Sequence, residues 1–175
     1  MTNFDHLNNI ERRLIDNLRT GTHKGGQAWS SGDVSVFGEF PEPEDIKYPC
    51  IVLSQRSSGL EEQFMGQAIT VTVSGTTTEA YGELYGASYD CSVMVDKESA
   101  MTPAGQTDVY KQRRLLNYIM LNTANIFMDS SFGNDAVGTE VEQHIFTGFR
   151  DVGYSNTMEI WGAATGFIMT FKNSR

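Results

Sequence analysis

Apolar and polar residues alternate almost without interruption over GELYGASYDCSVMVDKES, residues 82–99. Tyr85, Ala87, Tyr89, Cys91, Val93 and Val95 form one set; Gly86, Ser88, Asp90, Ser92 and Asp96 form the other, with Met94 the one intruder. A period of two is the strand period, so the apolar set faces a core and the polar set faces water or another subunit. At about 3.3 Å per residue the alternation spans on the order of 40 Å, about twice a common strand. So long a two-faced strand asks for a purpose beyond closing one small core.

The rest of the chain is patterned around it. Phe4, Leu7, Ile10, Leu14, Ile15 and Leu18 recur at three-to-four spacing and predict a helix over 3–19, capped by Thr2 or Asn3 and ended by Gly21. GTHKGGQAWSSGD, residues 21–33, has no periodicity and reads as an exposed loop that Trp29 pins down. DVSVFGEF is a short strand, closed by PEPED. YPCIVLSQ, residues 48–55, is apolar on both faces and predicts a central strand covered on both sides. SSGLEEQFMGQ reads as a turn into the alternating strand AITVTVS, residues 68–74, and GTTTEA leads on to the long strand. Successive strands with short connections predict antiparallel pairing.

ESAMTPAGQTD then breaks the pattern, and Thr107 or Asp108 is placed to cap a helix running to about Met128. Leu115, Leu116, Ile119, Met120, Thr123 and Phe127 share its apolar stripe, and Leu116, Ile119 and Phe127 are expected to pack on Tyr89, Cys91 and Val93. From Glu140 to Phe171 the chain is rich in strand formers, with strands on either side of GAATG that form a hairpin or one bulged strand. The expected fold is α+β: a mainly antiparallel sheet backed by the N-terminal helix and a second helix near 108–128. It forms one domain over 1–175, with the sheet and helix core in 34–175.

A chain of 175 residues, 39% hydrophobic, suffices for one sizeable core. The formal charge of −9, with a pI near 4.7, argues against a protein that grips nucleic acid through phosphates. It leaves open a wall past which DNA slides without sticking. MTNFDHLNNIERR is too polar for a signal peptide and no apolar run approaches the roughly 18 residues of a membrane span, so a soluble protein made in the cytoplasm, with no membrane partner, is expected. Cys50 and Cys91 sit within apolar strand patterns and are expected as reduced, buried thiols.

No constellation carries chemistry. His6, His23 and His144 show no metal-ligand spacing, and Lys24 lies among glycines without the order of a phosphate-binding loop. Nucleophile-elbow and dinucleotide fingerprints are missing. The acids Glu42, Glu44 and Asp45, and Glu61 with Glu62, fall in turn-like stretches, where solvated carboxylates are ordinary. Lys111, Arg113 and Arg114 read as a solvated basic turn, with contact to an acidic partner face as the alternative. The chain is therefore expected not to be an enzyme, with no catalytic residue, no cofactor and no metal.

An amphipathic first helix, the YPCIVLSQ strand, a long strand ending in YDCSVMVDKES, a helix from TDVYKQRRLLNYIM and closing strands follow one another in an order that resembles the tail terminator, or neck, proteins of long-tailed bacteriophages. The resemblance covers most of the chain as pattern. It implies a virion structural protein, assembled in the host cytoplasm, that forms a homo-oligomeric ring, usually of six. The ring would end the tail tube, and the sheath in a contractile tail, and join it to a head-completion or connector protein. DNA would pass through without specific binding. The long strand would continue its sheet beside a neighbouring subunit or along the lumen, with Asp90, Asp96 and Glu98 as candidate lumen or rim acids. The 21–47 segment and the aromatic C-terminal third depart from the smallest members and leave open which neighbour the ring meets; in a contractile tail they would serve to cap the sheath. Two other readings compete: another neck or tail component, such as a head-closure or tail tube protein, and a small α+β enzyme or ligand-binding domain.

Overall fold

The first helix, α1 (His6–Thr20), buries Ile10, Leu14 and Leu18 completely, as its spacing predicts. Phe4 lies outside what the computed structural model describes, which is residues 6–39, 41–73, 76–129 and 139–174; within these the side chains of residues 6–9, Leu7 among them, and of 57–73, 77–85, 139–144, 151 and 171–174 are outside the described ones. Gly21 ends the helix at φ +63°, and its N–H donates to the Leu18 carbonyl at 3.3 Å. The same carbonyl accepts the Trp29 indole N–H at 2.9 Å. The stretch expected as an exposed loop is thus partly folded. Thr22–His23 (β1) pairs with Gly26–Gln27 (β2) as a small hairpin, and Ala28 and Trp29 are core residues.

The main sheet is built from β3 (Ser35–Phe37), β4 (Cys50–Val73), β5 (Thr76–Asp96), β8 (Thr139–Ser155) and β9 (Ile160–Ser174), in the order β3-β4-β5-β9-β8. Between β5 and β8 the chain forms β6 (Ala100–Met101), β7 (Tyr110–Lys111) and α2 (Gln112–Phe127). Every pairing in the main sheet is antiparallel except the short β3–β4 ladder, which is parallel. Both helices pack on one face, against alternate residues of β5 and its neighbours. The architecture is α+β with a mainly antiparallel sheet, as the pattern indicated.

Three sequence expectations need correction. SSGLEEQFMGQ is not a turn: β4 runs through it, with register shifts between Gln55 and Ser57, Leu60 and Glu62, and Gln63 and Ala68. Bulges take up the residues that break the period of two, so pairing with β5 continues past them. GAATG is neither a turn nor a bulge in β9. That strand pairs with β5 without a shift from Gly82 opposite Ser174 to Asp96 opposite Ile160, and the bulges fall on β8. Thr107 and Asp108 do not cap α2. Tyr110 and Lys111 pair with Met101 and Ala100, which satisfies their backbone as sheet, and the helix starts at Gln112 with no side-chain cap.

The apolar stripe of α2 is buried as expected: Leu115, Leu116, Ile119, Met120, Thr123 and Phe127. Opposite it lie Ala87, Tyr89, Cys91, Val93 and Val95 of β5, all buried; the side chain of Tyr85 is outside the described ones. The predicted packing is observed, with the Tyr89 and Phe127 rings 6.4 Å apart. Cys50, Ile51, Val52 and Leu53 are completely buried, so this end of β4 is covered on both faces. Among the described residues no helix is long and apolar enough to cross a membrane.

Candidate functional site

The face of the sheet turned away from the helices carries the polar set of β5. Ser88, Asp90, Ser92 and Met94 are half-buried there, while the alternate residues are in the core. Asp90 lies opposite Ser54 of β4 and Gly166 of β9. Its Oδ2 forms an ion pair with Nε of Arg56, and its Oδ1 accepts from Nη2 of Arg150 at 2.7 Å. Arg56 lies within the first register shift of β4, and Arg150 follows the Phe146/Phe149 shift of β8. A bulge re-aims a side chain, so the neighbouring β4 and, from beyond β9, β8 each direct a guanidinium at one carboxylate of β5.

The floor of this cluster is made of small residues. A Cβ at Gly166 would lie 2.6 Å from Thr147 Oγ1 and 3.3 Å from Asp90 Oδ1. Thr147 donates its hydroxyl to the Gly166 carbonyl at 2.8 Å, and Thr165 donates to the Gly148 carbonyl at 3.0 Å. Gly148 itself has φ +96°, a conformation that favours glycine within a bulge. The small residues of GAATG therefore let Arg150 and Thr147 of β8 reach across β9.

The three acids expected at a lumen or rim have different settings. Asp90 is 17% exposed and held by two arginines. Asp96, at the end of β5, accepts from both the N–H and the hydroxyl of Ser99 and closes the turn after the strand. Glu98 is exposed in that turn. The sequence reading missed Arg56 and Arg150, because their carboxylate lies on another strand; a glycine within a strand pattern, which marks close approach, was the available signal at 166.

The second feature is the length of the β4–β5 hairpin. β9 ends opposite Gly82, and residues 76–81 of β5 pair only with residues 68–73 of β4 among the described residues. About 20 Å of two-stranded ribbon thus extends past the four-stranded part of the sheet. On its other side, among the described residues, β4 is paired only at Cys50–Val52, with β3.

Other groups offer less. A cleft of about 450 Å³ between the β1–β2 tip and the C-terminal end of α2 is lined by His23, Lys24, Gly25, Asn125, Met128 and Asp129. Its imidazole is engaged in the tight turn, where Nδ1 accepts the Gly25 N–H at 3.0 Å. His6 and His144 have side chains outside the described ones, as do Glu61 and Glu62; among the described residues no three His, Cys, Asp or Glu side chains gather as a metal site. Glu42, Glu44 and Asp45 are exposed around a short 3₁₀ turn (Pro43–Asp45). Lys111, Arg113 and Arg114 are exposed, and the Arg114 guanidinium lies 3.9 Å over the Tyr110 ring and 3.4 Å from Asp108.

Both cysteines are free and buried. Burial, then the charge of Asp96, pushes the Cys50 thiol up to about 12, and burial with Asp90 raises that of Cys91 as well. A thiol is nucleophilic as its thiolate, so neither is poised for chemistry. What the described residues offer here is a fixed charge cluster and a two-stranded ribbon. No family model matches the chain, and no characterised protein matches it in sequence.

Proposed function

We propose that this protein is a structural subunit of a phage-like virion, a ring at the head-tail neck that terminates the tail tube and joins it to the head. The observation that carries the reading is the ribbon beyond Gly82. A two-stranded hairpin alone in water is marginally stable at best. It gains a second surface when a neighbouring subunit or a tube subunit lies against it. The element order that resembles neck proteins supports the same assignment, as does an acidic chain, which repels DNA passing through a channel.

The settings of the candidate acids refine the channel reading. The Asp90 charge is offset by Arg56 and Arg150, so a repulsive wall would rely on Glu98, Asp96 and the remaining acids rather than on the middle of the long strand. The five-stranded sheet with its long hairpin also fits a tail tube subunit. Two helices packed on one face count against that, since a tube protein is expected to be almost all strand.

Sedimentation and electron microscopy of the purified chain test the proposal. Annular particles with a central hole are the expected result. Replacing residues 64–82 by an Asn-Gly turn should leave a folded body that no longer assembles, because Gln63 and Glu83 already face each other across the ladder. A wild-type chain that stays monomeric at every concentration would sink the ring. Tight, salt-sensitive binding of short duplex DNA would sink the non-adhesive channel.

A further inference from the structure

The Arg56–Asp90–Arg150 cluster is not required by the core or by the ladder. Asp90 uses both carboxylate oxygens on it, while the arginine side chains remain 61% and 42% exposed. Among the described residues Asp90 is the one ion-pair partner of each. A guanidinium has five N–H donors in a planar fork, and among the described residues Asp90 meets each arginine through a single nitrogen, Nε of Arg56 and Nη2 of Arg150. The cluster carries a net charge of +1 on a chain of net charge −9. Arginines held in place by a carboxylate are preorganised for fork-like binding of a second carboxylate or a phosphate.

A complementary surface exists on the same chain. Glu42, Glu44 and Asp45 lie exposed around the Pro43–Asp45 turn, where Pro43 and the 3₁₀ hydrogen bond from Asp45 N to Glu42 O at 2.9 Å fix the backbone. Within one copy these acids form no ion pair with either arginine. We propose that the Arg56–Asp90–Arg150 cluster docks the acidic Glu42–Asp45 turn of a second copy of this chain. Charge complementarity argues for this occupant, and Asp90 acts as a positioning residue. The contact joins two different surfaces, so it is heterologous and closes into a ring when its rotation allows. It therefore rests on the ring proposed above and names one of its interfaces.

The test is the oligomeric state of the full-length chain in low and high salt. Wild type should assemble, and assembly should weaken as salt screens the contact. Arg56→Glu with Arg150→Glu should lower the association constant by at least about tenfold. So should Glu42→Arg with Glu44→Arg and Asp45→Arg, a change confined to an exposed turn. An equimolar mixture of the two variants should assemble again, since alternating copies match every contact. If the arginine variant does not fold, the turn variant decides alone.

Wild-type rings together with unchanged rings of the turn variant would overturn this interface and leave the ring standing. A monomeric wild type would overturn both. Duplex DNA binding at low salt that disappears in the arginine variant would assign the cluster to nucleic-acid phosphate instead.

Discussion

The Phe127 ring of α2 lies flat on the Phe167 ring of β9, with centroids 3.8 Å apart and planes 6° from parallel. Phe146 of β8 joins them at 5.5 Å from Phe167, so one aromatic group ties the helix to both closing strands. Both stacked rings are almost wholly buried. Phe127→Ala should therefore destabilise the protein by about 3–5 kcal/mol in urea denaturation. A double-mutant cycle with Phe167→Leu should show coupling of about 0.5–1.5 kcal/mol. Additive losses would mean that the stack contributes only area.

Gly166 tests the floor under the arginine cluster. Alanine there would push against the Thr147 hydroxyl, at 2.6 Å, and cost about 1–3 kcal/mol as local overpacking. Thr147→Ala removes the obstructing oxygen and leaves the β-carbon at an ordinary 3.8 Å. The Gly166→Ala, Thr147→Ala double variant should thus be more stable than Gly166→Ala alone. Equal or lower stability would assign the obstruction to the Asp90 carboxylate, whose Oδ1 lies 3.3 Å from the same position.

Glu11 on α1 should give the fold a pH dependence. Burial, then the nearby charge of Glu39, raises its carboxyl above the ordinary 4.5, and Glu11 in turn helps to raise the Tyr89 phenol, which is itself pushed up chiefly by burial. A carboxyl raised in the folded state contributes stability that is complete below its unfolded value and lost as pH rises through the folded one. Glu11→Gln should then raise Tm at neutral pH, with the gain fading as pH falls through the raised folded value and gone once the ordinary 4.5 is reached. Parallel Tm curves for the two proteins from acid to neutral pH would refute this.

The two thiols report on global opening. Cys50 is pushed up to about 12 and Cys91 is completely buried, so a thiol reagent at neutral pH should label neither in the native protein. Both should react in denaturant, and native labelling should follow the unfolding rate. Stoichiometric labelling of the native chain within minutes would place at least one thiol near the surface.

Local pattern carried much of this fold. Ile10, Leu14 and Leu18 on α1, Leu115 to Phe127 on α2, and Ala87 to Val95 on β5 are buried where their periods place them, because each period sets which side chains share a face. Net charge and the missing motifs were likewise properties of composition. Tertiary structure decided what depends on a partner strand. β4 continues through SSGLEEQFMGQ and β9 through GAATG because ladders with β5 satisfy their backbones, while bulges absorb the broken period. α2 starts late because Tyr110 and Lys111 find a strand partner in Ala100 and Met101. The arginine cluster was out of reach for the same reason: Arg56, Asp90 and Arg150 lie far apart in sequence, and no local pattern records which side chain a neighbouring strand will aim across the sheet.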